Sequence, residues 1–122
     1  MFWSKVGAVR NLAMNVMYAM QRANGDWFAF DDHGRLRVPV FRSSWDAMSA
    51  RMSHPGMLLF KPVALNEHAL REMAAGEANS VVYFWLVDNP SINVNRGHLI
   101  EHTELARIVR DASAQTLVDS EG

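Results

Sequence analysis

The segment Ser80 to Val87 constrains the fold more than any other, because both of its alternating faces are apolar: Val81, Tyr83, Trp85 and Val87 on one, Val82, Phe84 and Leu86 on the other. A strand with no polar face must be covered on both sides, so it belongs at the centre of a sheet or at an interface. The rest of the chain has to supply its neighbours and its cover.

Candidate neighbours precede it. Trp27 to Phe30 and Arg35 to Phe41 flank Asp31-Asp32-His33-Gly34, a polar stretch ending in glycine that suits a four-residue hairpin loop. In the second of these strands Leu36, Val38 and Val40 alternate with Arg35, Arg37 and Pro39. That is the pattern of a half-buried sheet, and Pro39, which has no N–H for the ladder, argues for an edge or a bulge. Met57 to Val63 reads as a further strand, and Ile92 to Val94 and His98 to Ile100 as short extended pieces after the Asp88-Asn89-Pro90 turn.

Four segments carry helical spacing. From Ser4 to Ala23 the apolar residues Val6, Val9, Ala13, Val16, Met17 and Met20 recur at three and four, with Asn24-Gly25 placed to end a helix. Trp45, Met48 and Met52 follow Ser43-Ser44 with Asp46 at the capping position, and His54-Pro55-Gly56 breaks that helix. Asn66 caps a third helix, Leu65 and Leu70 are spaced as a hydrophobic staple, and Gly76 stops it. Thr103 reads as the cap of a last helix whose face is Leu105, Ile108, Val109 and Ala112, with 114–122 expected to fray. The predicted fold is one α+β domain over 1–122: an antiparallel sheet of about four to five strands against helices, in the order α-β-β-α-β-α-β-(β)-α.

Composition narrows the function classes. The chain has 122 residues, 49% of them hydrophobic and 20% charged, with no cysteine. This is ordinary globular composition without disulfides or thiolate chemistry, and it places the protein in a reducing compartment, the cytoplasm. Neither a signal peptide nor a membrane span is expected, since Lys5 interrupts the N-terminus and no apolar run approaches about 20 residues. Residues 1–61 hold eight Lys/Arg against four Asp/Glu, and residues 62–122 hold four against nine. Such asymmetry favours self-association or a charged partner, although solvated faces also produce it.

The sharpest chemical motif is His98-Leu99-Ile100-Glu101-His102, the H-x-x-E-H pattern of inverted zinc peptidases. On a helix His98 and His102 would share a metal with Glu101 as general base, giving a small metal-dependent hydrolase as an alternative function. A helix beginning at Thr103 would instead leave the five residues in a turn or strand, so no metal or cofactor is expected. His33, His54 and His68 have no mutual spacing that demands a site, and Asp31 and Asp32 serve to keep the hairpin loop wet. Arg35, Arg37 and Arg42 beside Phe41 and Trp45 offer a nucleic-acid strip, but Trp45 falls on an apolar helical stripe and net charge is −1. Nucleic acid is therefore not the expected partner. The surplus of large apolar residues points to association: Trp3, Tyr18, Tyr83 and Trp85 form the expected interaction surface of a homodimer or a complex with another protein.

In order, Trp27-Phe28-Ala29-Phe30-Asp31-Asp32, Gly34 and Val38-Pro39-Val40-Phe41 lead to Trp45-Asp46-Ala47, then Lys61-Pro62, the helix around Leu65 to Met73 and the Leu99 to Val109 segment. This arrangement resembles a small bacterial family of uncharacterised α+β domains, with Phe41 where that family carries tryptophan. The resemblance implies a small α+β bacterial protein and no catalytic residues. A looser similarity, in Val-Pro-Val-Phe and the following helix, is to SseB-like secretion-enhancer proteins and implies an interaction role. Together these lead to a non-enzymatic protein-interaction or regulatory module.

Overall fold

The computed structural model describes residues 16–75 and 81–121. They form an α+β fold with six strands: β1 Tyr18–Arg22, β2 Phe30–Asp32, β3 Arg35–Val40, β4 Phe60–Ala64, β5 Val81–Val87 and β6 Gly97–Ile100. The helices are α1 Ser44–Ser53, α2 Glu67–Ala75 and α3 His102–Glu121, and a single 3₁₀ turn spans Pro55–Met57. Two sheets result, β1-β4 and β2-β3-β5-β6. As its two apolar faces require, β5 is central, between β3 and β6.

The sequence points to an antiparallel sheet, but the larger sheet is mixed. β3 and β5 run parallel, with Arg37 opposite Tyr83 and Val38 opposite Phe84, while the β2-β3 and β5-β6 pairs are antiparallel. The crossover between β3 and β5 carries α1, β4 and α2, the length of connection that a parallel pair needs. Pro39 is consequently not on an edge strand. It lies past the end of β2, whose pairing with β3 stops at Phe30 and Arg37, so its missing N–H costs the ladder nothing on that side.

The helix expected over Ser4 to Ala23 is a strand where its end is described. Ala19 and Met20 are consecutive and fully buried, but Ala19 belongs to one core cluster and Met20 to the other. Two-sided burial needs the period of two that only a strand provides. Gly25, expected to end that helix, does take a positive φ of 96°, in the turn that follows β1. The β2-β3 loop is also tighter than expected. His33 and Gly34 have φ of 54° and 85°, a two-residue turn of the handedness that matches strand twist.

Local capping chemistry holds where expected. Ser43 Oγ accepts from the Asp46 amide at 3.0 Å, Asn66 Oδ1 accepts from the Ala69 amide at 2.7 Å, and the staple residues Leu65 and Leu70 share the first core. The last helix begins at His102 and not after Thr103, its first turn closed by the Leu105 amide on the Glu101 carbonyl, and the backbone remains helical through Glu121. Ile92 to Val94 is a turn, not an extended piece, held by Ile92 and Asn93 amides on the Asn89 carbonyl. Gly76 lies outside the described residues.

Two cores flank the larger sheet. Val38, Val40, Phe84 and Leu86 pack with Leu70, Met73, Leu105 and Val109 of α2 and α3, while Val87 packs with Met20, Phe41, Met57 and Val94 and with Ala47 and Ala50 of α1. The face of α1 is therefore not the Trp45-Met48-Met52 stripe. Ala47 and Ala50 are fully buried, whereas Trp45 is 80% and Met52 78% exposed. Only the smaller side chains let the helix axis come close to the sheet. Gly97 has the least room of the described glycines, since a Cβ there would sit 2.1 Å from the Leu86 carbonyl oxygen and 2.7 Å from Trp85 Nε1. Gly97→Ala is expected to part β5 from β6 and lower unfolding free energy by about 2 kcal/mol or more in urea titration.

Candidate functional site

Because β2, β3, β5 and β6 pair in the register given above, one face of the sheet collects Phe30 and Asp32, Arg35 and Arg37, Tyr83 and Trp85, and Leu99. The end of this face near Val87 is covered by the second core, while Val81 and Leu99 remain exposed. Between these limits the arginines lie on the aromatic rings. The Arg35 guanidinium carbon is 5.4 Å from the Tyr83 ring centre, and that of Arg37 is 4.9 Å from Phe30 and 5.2 Å from Trp85. Each such contact contributes about 0.5–1 kcal/mol and restrains the guanidinium.

The polar partners of this face are incompletely met. Arg37 Nη2 donates to Asn95 Oδ1 at 2.6 Å, but Arg37 Nε and Trp85 Nε1 are buried without a hydrogen-bond partner. A third such nitrogen, His54 Nδ1, belongs to a ring that meets Phe30 edge-on. A buried N–H left unpaired costs about 1–3 kcal/mol, so two on adjoining side chains are a concentrated cost. Arg22, Arg42, Arg71, Arg107 and Arg110 each face a carboxylate, but among the described residues Arg35 and Arg37 form no ion pair.

The one acid on this face is already engaged. The Tyr83 hydroxyl donates to Asp32 Oδ2, and this bond holds the Asp32 carboxyl below its usual range, with His33, Arg37 and Arg35 lowering it further against desolvation. The same bond, with desolvation and the Asp32 charge, raises the Tyr83 phenol.

The other expected site residues are scattered. Trp3 lies outside the described residues. Tyr18 is half-buried against the second core and exchanges two backbone hydrogen bonds with Phe41. Arg42 is drawn away from Arg35 and Arg37 to the Asp88 carboxylate at 3.6 Å. His98, on β6, also meets Asp88 at 3.6 Å, while His102, at the start of α3, stacks on Phe84 with ring centres 5.8 Å apart. His98, Glu101 and His102 thus span a strand, a junction and a helix, and among the described residues no three His, Cys, Asp or Glu side chains group as metal ligands. His33 is at the hairpin tip, and His68 approaches Glu72 at 3.5 Å on α2.

Two features were not anticipated. Trp45 and Met52 share the outer side of α1, and Arg51 bonded to the Leu58 carbonyl and Ser53 bonded to the Ser91 carbonyl bring Leu59 and Ile92 beside its C-terminus. Leu59 and Ile92 are 78% and 68% exposed. The sequence signal was the pair Ala47 and Ala50, which reads as a close-packing face once small residues are weighed along with large ones. The second feature is a cleft of about 590 Å³ over Leu36, Val38 and Val82, whose rim residues are already paired, Arg22 with Asp26 and Glu72 with Trp27.

No helix among the described residues is long and apolar enough to cross a membrane. No protein-family model and no curated protein matches the chain.

Asp32 has a depressed folded pKa, so its contribution is complete above the unfolded carboxylate value and is lost as pH falls through the folded one. In Tyr83→Phe the NMR titration of the Asp32 carboxyl should move upward toward the ordinary value, and the acid-side loss of Tm attributable to this group should shrink. An unchanged Asp32 titration would contradict the assignment.

Proposed function

We propose that this chain is a cytoplasmic bacterial protein-interaction module without enzymatic activity, and that it works as a homodimer joined through the outer side of α1. The observation that carries this reading is the exposure of Trp45 and Met52 on one side of a short helix. Together with Leu59 and Ile92 near the C-terminal end of α1 they present exposed apolar surface on the order of 500 Å², the scale at which patches on a soluble domain mark interfaces. Tyr83 and Trp85, half-buried beneath arginines, leave α1 as the larger apolar contact.

The geometry favours a second copy as the occupant. Trp45 and Met52 are seven residues apart, two helical turns on one face. Two α1 helices crossing antiparallel about a two-fold axis bring each Trp45 over the Met52 of the other copy, an isologous contact with a favourable sulfur–aromatic pairing. The resemblance to a bacterial α+β family and to SseB-like proteins is consistent with a role in association.

Sedimentation velocity over a hundredfold range of concentration should show a monomer–dimer equilibrium. The double variant Trp45→Ser, Met52→Ser should be monomeric throughout, with unfolding free energy within about 0.5 kcal/mol per site of the parent, because both side chains are already in solvent. A parent that stays monomeric, or a variant that dimerises equally well, would refute this reading.

A further inference from the structure

The basic strip on the open part of the sheet face is a separate surface from α1 and makes a different demand. We infer that Arg35 and Arg37 form a two-point seat for carboxylates on an extended acidic segment of a partner protein. The two guanidiniums stand two residues apart on one strand, on the same face. Alternate side chains of a strand are spaced by about 6.5–7 Å, the spacing at which an extended segment presents acids at alternate positions. Each guanidinium is held over a ring, so little side-chain entropy is lost when it binds, and planar charged donors match carboxylate geometry.

The unmet valence points the same way. Neither arginine forms a close ion pair among the described residues; Asp32, the acid opposite Arg35 on this face, accepts from the Tyr83 hydroxyl and acts on both guanidiniums at longer range. Asn95 braces Arg37 from the neighbouring turn, and Arg35 beside it is exposed to solvent. Exposed Val81 and Leu99 border the strip and supply apolar contact for the partner's intervening side chains. A single nucleic-acid strand fits less well. The arginines cover the ring faces on which bases would stack, and the chain carries a net charge of −1 where a polyphosphate needs extended positive potential.

The test uses the full chain and fluorescence anisotropy at low ionic strength with three labelled probes: a peptide of alternating Glu and Ser, the same peptide with Gln for Glu, and a dT oligonucleotide of equal length. The Glu peptide should bind saturably, and the Gln peptide should not. Arg37→Gln and Arg35→Gln should each weaken binding about tenfold, while Arg110→Gln, remote from the strip, should leave it unchanged. Arg35 is exposed, so its variant keeps the test decisive if Arg37→Gln unfolds the protein. Equal binding of the Gln peptide, absence of saturation, or oligonucleotide binding with the same arginine dependence would each overturn the inference. None of these results alters the sedimentation behaviour that tests the α1 surface.

Discussion

The parallel pairing of β3 with β5 is the constraint from which the other features follow. By setting Arg37 opposite Tyr83 and Val38 opposite Phe84, it sorts every side chain on both strands onto one of two faces. The Val38-Phe84 face packs against α2 and α3, with the cleft over Leu36 and Val82 at one end, and the Arg37-Tyr83 face is left to a mixture of aromatic rings and guanidiniums. A slip of one residue would place two arginines in the apolar core, at a cost no domain of this size could absorb.

The second core has a different logic. It is closed by small residues at the helix, Ala47 and Ala50, and large ones in the sheets and turns, Met20, Phe41 and Met57. Close approach of α1 is what turns Trp45 and Met52 outward. The same packing that stabilises the monomer therefore produces the surface through which we propose it associates. Stability and association are linked through helix depth, and not through separate sets of residues.

Much of the architecture was legible in local chemistry. The caps at Ser43 and Asn66, the Leu65-Leu70 staple, the β2-β3 hairpin and the centrality of β5 all follow from residue types at fixed offsets. What was not legible depends on tertiary partners. Met17 and Met20 fit a helical period, and only the presence of cores on both sides of Ala19-Met20 selects a strand. Strand direction has no local signature, so the crossover that makes β3 and β5 parallel could not be read. Of the candidate site, the arginine–aromatic interleaving was visible, but the stacking of Arg37 between Phe30 and Trp85 required the register, and Arg42 left the group because Asp88 lies nearer.

The division of β3 and β5 into a helix-packed face and an arginine-bearing face can be examined most directly by isotope-edited NOE spectroscopy of the protein in solution. The account predicts NOEs from the Arg37 side chain to both Phe30 and Trp85 rings, with its δ and ε protons shifted upfield by ring currents, and NOEs joining Phe84 to Leu105. Random-coil shifts for Arg37, or Tyr83 and Trp85 showing NOEs to the α2 and α3 side chains, would contradict it.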